Sequence, residues 1–264
     1  MKKPNDNNAP ITEFFDDEMG NLHVFFNNGK KEFWRFDKVK EMGIDKCVFF
    51  LPRRFSELTE ITKKCELVYE FMSASTISPV YLYDNKVLIA LTPLGGSASA
   101  NLMEELIHVG IKYFMGMGSC GAIQGVPFEQ LFIPTKAIRD EGTSYHYLPP
   151  SRYAETSEKL NSSLESILIE RKVDFSKGIV WTTDAMYRET PKRIAARIKD
   201  GATGVEMETA SLAAVAKARG VEYTCLLYYS DFNDGIVWES RIYDRIKLRN
   251  EIFNLCLEAL MRVK

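Results

Sequence analysis

Residues 203–220, TGVEMETASLAAVAKARG, are the stretch that decides the fold. Two carboxylates, Glu206 and Glu208, stand on either side of Met207, and a run rich in alanine follows them. Such segments form helices readily, and their small side chains let a helix pack close to its neighbours. The pattern therefore predicts a closely packed helix that begins at the acid pair, directly after a strand.

The acid pair has two possible roles. Acidic residues are favoured at the start of a helix, because they interact with the positive end of the helix dipole. An acidic pair at a strand-to-helix junction can instead bind vicinal hydroxyls, since each carboxylate oxygen accepts hydrogen bonds from a sugar diol. The preceding glycine, the separating Met207 and a second acidic site after the next strand favour the second role.

Composition excludes several classes of protein. At 264 residues the chain is long enough for a substantial core, and its net charge of −2 does not attract nucleic acid or a membrane surface. Five scattered cysteines and three separated histidines predict neither a disulfide framework nor a metal site. A polar N-terminus and the lack of a long apolar run predict a cytoplasmic protein.

Short apolar runs alternate with segments of helical pattern. Strands are predicted at residues 47–51, 78–83, 86–92, 111–117, 131–137, 178–182 and 221–229. Helices are predicted at residues 37–42, 56–67, 99–109, 157–171, 193–200 and 243–262, and turns or loops at residues 118–122, 139–147 and 183–191. This alternation predicts an α/β fold with a mixed, largely parallel sheet and helices on both sides.

The first 45 residues differ from the rest. Residues 1–20 are predicted to form an arm that becomes ordered on a partner, and residues 21–36 a hairpin around Asn27-Asn28-Gly29-Lys30. Neither an internal repeat nor a low-complexity linker divides the chain. We therefore predict an N-terminal extension at residues 1–45 and a single domain at residues 46–264.

Several polar or glycine-rich segments directly follow predicted strands. They are residues 95–96, 118–122, 183–188, 206–208 and 230–231. Ligands of open α/β sheets bind beyond the carboxyl ends of the strands, so we expect these segments to converge on one cleft.

These segments, in this order, resemble the nucleoside phosphorylase superfamily, which includes uridine phosphorylases and hexameric purine nucleoside phosphorylases. The matching sequences are LGGSASANLMEELIHVGIKYFMGMGSCGAI (94–123), WTTDAMYRET (181–190), VEMETA (205–210) and YYSD (228–231). The resemblance implies a single-domain α/β/α sandwich around a mixed, barrel-like sheet. It also implies cleavage of the ribosyl–base bond of a nucleoside by inorganic phosphate, without a cofactor, in a homodimer or homohexamer.

The resemblance assigns roles to individual residues. Glu208 would bind the ribose 2′- and 3′-hydroxyls, Met207 would pack under the sugar, and Glu206 would support the site. Phosphate would be bound by backbone and hydroxyl groups, with two arginines as possible substitutes for those that the family uses. These residues are Ser119, Gly118, Gly96, Arg53 and Arg54.

The base side is assigned in the same way. Asp231 would be the general acid for a purine ring nitrogen, although a Ser-Asp pair after a strand is also a common structural cap. The other base-side residues are Met186, Tyr187, Cys120, Gly121 and Ser230. Cys120 has no histidine near it in sequence, so we interpret it as a small packed residue and not as a nucleophile.

The phosphate-binding pattern of the family is incomplete in this chain. Glu57 and Gly116 stand where two phosphate-binding arginines would be, and no arginine lies near Met72, where a neighbouring subunit would lend a third. Arg53 and Arg54 either replace this cationic clamp or form a solvated basic turn. Without a clamp water can attack instead, which would make the protein a nucleosidase.

Other functions remain open at this point. The YRETP loop lacks the glutamine with which pyrimidine-type members read uracil, which favours a purine nucleoside over a uridine phosphorylase-like activity. Loss of the arginines is also compatible with a non-catalytic nucleoside-binding protein. A dinucleotide-binding protein is a further alternative, prompted by Gly95-Gly96 and Gly116-Met117-Gly118, but no G-x-G-x-x-G follows the first strand.

Overall fold

The computed structural model describes residues 36–50, 55–127, 130–240 and 245–264. The predicted arm, the predicted hairpin turn, and the candidate phosphate ligands Arg53 and Arg54 lie outside these ranges. The first described helix, α1 (Phe36–Glu41), confirms the predicted one, and Val39 and Ile44 are buried in a core cluster of the sheet domain. The boundary at residue 45 stays a prediction.

Strands and helices alternate along most of the described chain, as predicted. The strands are β1 (Lys46–Phe50), β2 (Cys65–Met72), β3 (Ile77–Tyr83), β4 (Val87–Leu91), β5 (Tyr113–Ala122), β6 (Leu131–Asp140), β7 (Tyr153–Glu155), β8 (Phe175–Thr183), β9 (Ala202–Glu206), β10 (Glu222–Asn233) and β11 (Trp238–Ser240). The later helices are α2 (Thr59–Thr62), α3 (Gly96–His108), α4 (Glu158–Glu170), α5 (Pro191–Lys199), α6 (Thr209–Arg219) and α7 (Arg245–Arg262), with 3-10 helices at Phe55–Glu57, Thr143–His146 and Met186–Arg188.

All the described strands belong to one mixed sheet, and five of them close into a ring. In this ring β5 pairs with β10, β10 with β6, β6 with β8, β8 with β9, and β9 with β5 again. Strands β1, β4, β3 and β2 extend the sheet from β5 in that order. The predicted α/β fold with a barrel-like sheet is therefore confirmed.

Strand β1 shows why helices cover both sides of the sheet. Its sequence KCVFF is almost wholly apolar, which is typical of a strand buried on both faces. Successive side chains point to opposite faces, so Cys47 and Phe49 join one core cluster and Val48 and Phe50 join the other. Helices α3 and α6 pack together on the first face, and α4 and α7 pack together on the second.

The helix predicted at residues 56–67 is wrong over much of its length. The described chain has the 3-10 helix Phe55–Glu57 and the single turn of α2 there, and strand β2 already begins at Cys65. The sequence CELVYEFM contains the aromatic and β-branched residues that strands favour, and it pairs antiparallel with β3. Pairing at the edge of the sheet thus overrides the local helical pattern.

The segment 118–122, predicted as a turn, is part of β5. Strand β10 pairs with β5 along its length, and β9 pairs with Gly121 and Ala122 on the other edge. On that second edge β1 reaches only as far as Met117. Residues 118–120 therefore have no strand partner there among the described residues, and the sheet has a gap at this point.

Helices α3 and α6 pack closely at Gly96. A Cβ atom at this position would lie 2.1 Å from the Ser211 Oγ and 2.9 Å from the Ser211 Cβ. Real Cβ atoms do not approach other atoms so closely, so only glycine fits here without a shift of α6.

We expect Gly96→Ala to lower the free energy of unfolding by about 1–3 kcal/mol, because an added methyl group in a filled space forces its neighbours to move. Urea denaturation followed by circular dichroism measures this change. Gly125→Ala is the matched control, because Gly125 is exposed and its Cβ would have no neighbour within 4 Å. Equal unfolding midpoints for the two variants would contradict the packing role of Gly96.

Candidate active site

A small cavity lies at the gap in the sheet. Gly118 and Ser119 of β5 line it together with Glu206 and Glu208 from the junction between β9 and α6. Its volume of about 20 Å³ has room for about one water molecule. The structure thus brings predicted ribose-binding and phosphate-binding residues into one site.

Glu206 is held by hydrogen bonds from two parts of the chain. Its Oε2 accepts from the backbone N–H groups of Glu208 at 2.8 Å and Thr209 at 2.7 Å, which are free donors at the start of α6. Its Oε1 accepts from the Thr182 hydroxyl at the end of β8. Glu206 therefore stabilises the first turn of α6 and holds the backbone of Glu208, while its support of a ribose site stays a prediction.

Glu208 connects α6 to the start of α3. Its Oε1 accepts a hydrogen bond of 2.6 Å from the backbone N–H of Gly95, whose φ of 92° is readily available only to glycine. The Glu208 side chain is only 5% exposed, although it borders the cavity. Gly95 thus contacts the candidate site, while Gly96, the predicted phosphate ligand, packs on Ser211 and does not line the cavity.

The acid pair is buried among neutral groups. Burial, and after it the charge of Glu206, raises the pKa of Glu208 to about 8. Burial also raises the pKa of Glu206, while the hydrogen bonds from Thr182 and from the two backbone N–H groups oppose this effect. The residues that line the cavity include no lysine, arginine or histidine that would favour the ionised forms. The pair therefore holds a proton near neutral pH.

The position of one missing arginine is filled. A Cβ at Gly116 would lie 2.8 Å from the Cys225 Cβ and 3.0 Å from the Tyr223 hydroxyl. Both neighbours belong to β10, are buried and line the same cavity. An arginine could not occupy position 116 without displacing them, so Tyr223 takes up space that a cation would need.

The other two arginine positions also lack a cation. Met72, at the end of β2, is 62% exposed, and Glu57 ends a 3-10 helix. Within the described ranges no cationic side chain therefore lies at any of the three positions that the resemblance assigns to phosphate-binding arginines.

The base-side residues of β5 and β10 lie together. Asp231 is directly opposite Gly121, and a Cβ at Gly121 would lie 3.1 Å from the Asp231 Oδ2. The Ser230 hydroxyl donates to Asp231 Oδ1 at 2.5 Å and lies 3.4 Å from the Cys120 carbonyl oxygen. Burial raises the pKa of the Cys120 thiol well above its ordinary value, which agrees with a packed rather than a nucleophilic cysteine.

Met186 and Tyr187 lie in the 3-10 helix that follows β8. Their side chains are 51% and 92% exposed, so the described residues do not enclose them. Stacking of a base on these side chains stays a prediction.

Two residues of the site were not predicted. No local sequence pattern pointed to Tyr223, because it affects the site by filling the space beside Gly116, which is distant in sequence. Trp238 donates from its indole Nε1 to Asp231 Oδ2 at 3.0 Å, from a strand absent from the prediction. The Asp234-Gly235 pair after β10 was an available hairpin signal.

Among the described residues, no group of three histidine, cysteine or acidic side chains is placed to hold a metal ion. No helix among these residues is long and apolar enough to cross a membrane.

The fold is that of nucleoside phosphorylases and nucleosidases. The sequence profile of the phosphorylase superfamily matches residues 48–260. The chain therefore belongs to the phosphorylase superfamily, an enzymatic family.

Individual relatives have different stated activities. A guanosine phosphorylase from Halorubrum lacusprofundi is 27% identical over 177 residues, 64% of this chain and 70% of the relative. A DeoD-type purine nucleoside phosphorylase from Caldanaerobacter subterraneus is 28% identical over 154 residues, 57% of this chain and 66% of the relative. A uridine phosphorylase from Haemophilus influenzae is 25% identical over 108 residues, 40% of this chain and 43% of the relative.

A solved structure supports the fold. An AMP nucleosidase from Bacteroides thetaiotaomicron superposes with a TM-score of 0.66 at 23% identity, over 83% of this chain and 88% of that chain. At this identity the likeness establishes the architecture alone.

Glu208→Gln should stabilise the ligand-free protein near pH 8 and have little effect near pH 4. The pKa of Glu208 is raised to about 8 in the folded state. The contribution of this carboxyl to the free energy of unfolding is therefore fully present below the ordinary glutamate pKa, and it is lost as the pH rises toward 8. Glutamine mimics the protonated carboxyl, which predicts a gain of about 1–3 kcal/mol at the higher pH. Urea denaturation at several pH values measures this gain.

The control for this prediction is Glu70→Gln, which replaces an exposed carboxylate on β2. It should leave the pH dependence of stability unchanged. A gain in Glu208→Gln that is the same at pH 4 and pH 8 would show that burial of the charge is not its cause.

Proposed function

We propose that this protein cleaves the ribosyl–base bond of a purine nucleoside with water as the nucleophile. The observation that carries the proposal is Gly116, where Tyr223 and Cys225 leave no space for the arginine of a phosphate clamp. The absence of a cation at this position favours attack by water over attack by a phosphate ion, which cationic side chains would bind.

The sugar is bound by the acid pair in this proposal. Glu208 accepts hydrogen bonds from the 2′- and 3′-hydroxyls, Met207 lies against the ring, and Glu206 fixes both through the first turn of α6. Because Glu208 also accepts from Gly95, the start of α3 is held in place at the same time.

The bond changes are those of a simple hydrolysis. The water oxygen forms a bond to C1′, the C1′–N bond breaks, and its electron pair leaves with the base. Water releases one proton and the base gains one, so no net proton is consumed. Asp231 is the candidate donor to the base, and a positioned acid contributes typically about 10²–10⁴-fold to the rate.

Phosphorolysis is the second candidate. The guanosine phosphorylase and the DeoD-type enzyme among the relatives favour it. In that reaction phosphate takes the place of water as co-substrate, and no cofactor is needed in either case.

A homo-oligomer, dimer or hexamer, would suit the apolar side chains of Met72 and Ile77, which are exposed on the outer hairpin of the sheet.

The test is to incubate the protein with adenosine, guanosine, inosine and uridine, with and without inorganic phosphate, and to identify the sugar product. We expect free ribose from purine nucleosides at a rate that phosphate does not change. Ribose 1-phosphate formed only in the presence of phosphate would establish phosphorolysis instead. No release of base under either condition would indicate a non-catalytic nucleoside-binding protein.

Glu208→Gln should also distinguish ribosides from 2′-deoxyribosides. Above pH 8, where Glu208 is ionised, a hydrogen bond to its charge contributes about 1.5–3 kcal/mol, so kcat/KM for ribosides should fall about 10- to 100-fold at such a pH. The fall should be much smaller for 2′-deoxyribosides, which have already lost one hydroxyl. Steady-state kinetics on adenosine and 2′-deoxyadenosine measure the difference, and an equal loss on both would assign Glu208 to helix capping alone.

A further inference from the structure

The end of β10 and strand β11 form a hairpin beside Asp231. Asp231 pairs with Ser240, and Asn233 pairs with Trp238. In the turn, Asp234 Oδ1 accepts from the backbone N–H groups of Ile236 and Val237 at 2.8 and 2.7 Å. The hairpin thus has a defined register, which places Trp238 at a fixed distance from Asp231.

The hairpin is also fixed to the loop after β8. The Asn233 side-chain amide donates to Glu189 Oε2 at 2.8 Å. A Cβ at Gly235 would lie 2.5 Å from the backbone nitrogen of Pro191, so the two segments are in direct contact. Trp238 therefore belongs to a supported structure, although its side chain is 63% exposed.

Trp238 makes one oxygen of Asp231 an acceptor only. Its indole Nε1 donates to Asp231 Oδ2 at 3.0 Å. An indole N–H can donate but cannot accept, so a proton on Oδ2 would face another donor. Each carboxylate oxygen has about two acceptor sites, so Oδ2 keeps one for a ligand.

The other oxygen of Asp231 has more freedom. Oδ1 is bonded to the Ser230 hydroxyl, which can donate or accept. When Oδ1 carries a proton, Ser230 can accept from it and turn its own hydroxyl hydrogen to the Cys120 carbonyl oxygen, 3.4 Å away. Oδ1 is therefore the oxygen of Asp231 that can accommodate a proton, and Oδ2 stays an acceptor.

We infer that Trp238 is a positioning residue that makes Asp231 select 6-aminopurine nucleosides over 6-oxopurine nucleosides. The inference rests on the proposed function. A purine whose N7 meets Oδ1 presents its 6-substituent to Oδ2. A 6-amino group donates a hydrogen bond to Oδ2, whereas a 6-oxo group places its own acceptor oxygen against Oδ2, which is also an acceptor. Adenosine-type nucleosides are thus the substrate class that this geometry recognises.

The test compares adenosine with inosine, which differ in the 6-substituent, on the wild-type protein and on Trp238→Phe. Phenylalanine keeps an aromatic ring and removes the N–H donor. We expect the wild type to favour adenosine at least tenfold in kcat/KM, and Trp238→Phe to reduce that ratio about tenfold. Val237→Ala is the matched control, because it trims an exposed side chain of the same hairpin and should leave the ratio unchanged.

Binding of free adenine and hypoxanthine to the same proteins, measured by calorimetry, separates this inference from the proposed function. If no nucleoside is cleaved but adenine binds more tightly than hypoxanthine, and Trp238→Phe removes the difference, the inference stands and the proposed function fails. An unchanged adenosine-to-inosine ratio in Trp238→Phe overturns the inference, as does equal binding of the two bases by the wild type. A purely structural role for Trp238 would lower both rates and leave their ratio intact.

Discussion

The site depends on the burial of one carboxylate, Glu206. A buried charge is unfavourable unless its oxygens accept hydrogen bonds. Glu206 gains these bonds from the first turn of α6 and from Thr182 of β8. Its burial therefore forces β8, β9 and α6 into one arrangement, and Glu208 is placed as a result. Glu206 takes the first role considered for the acid pair, since it stabilises the helix end, while diol binding by Glu208, which borders the cavity, stays a prediction.

Tyr223 affects the candidate site through the space that its side chain fills beside Gly116. The phenol beside Gly116 removes the volume that a cationic side chain would need, and it surrounds the acid pair with neutral groups. The same residue therefore bears on which nucleophile the site favours, while the raised pKa of Glu208 comes from its burial and from the charge of Glu206. Family membership alone does not decide between water and phosphate as the nucleophile, since phosphorylases and nucleosidases share this architecture.

The parts of the fold that local sequence determines were predictable. The apolar run of β1 predicted a strand buried on both faces, and the amphipathic pattern at residues 157–171 predicted α4, at whose start Ser157 accepts from the Leu160 N–H. The acid pair, Ser119 and Asp231 were singled out because they follow predicted strands and match the family pattern. Strand β2 and Trp238 were not, because their structure depends on pairing with other strands. Tyr223 acts through a distant glycine, which no local pattern reveals.

The ring of five strands has a consequence for how a ligand enters. Each strand of the ring pairs with two others, so the ring cannot open without breaking backbone hydrogen bonds, whereas residues 118–120 at the cavity have one free edge among the described residues. The two segments that border the base side, the loop after β8 and the β10–β11 hairpin, are joined by Asn233 and Glu189 and touch at Gly235 and Pro191. A displacement of one carries the other with it. The loop and the hairpin therefore act as one border of the predicted base side.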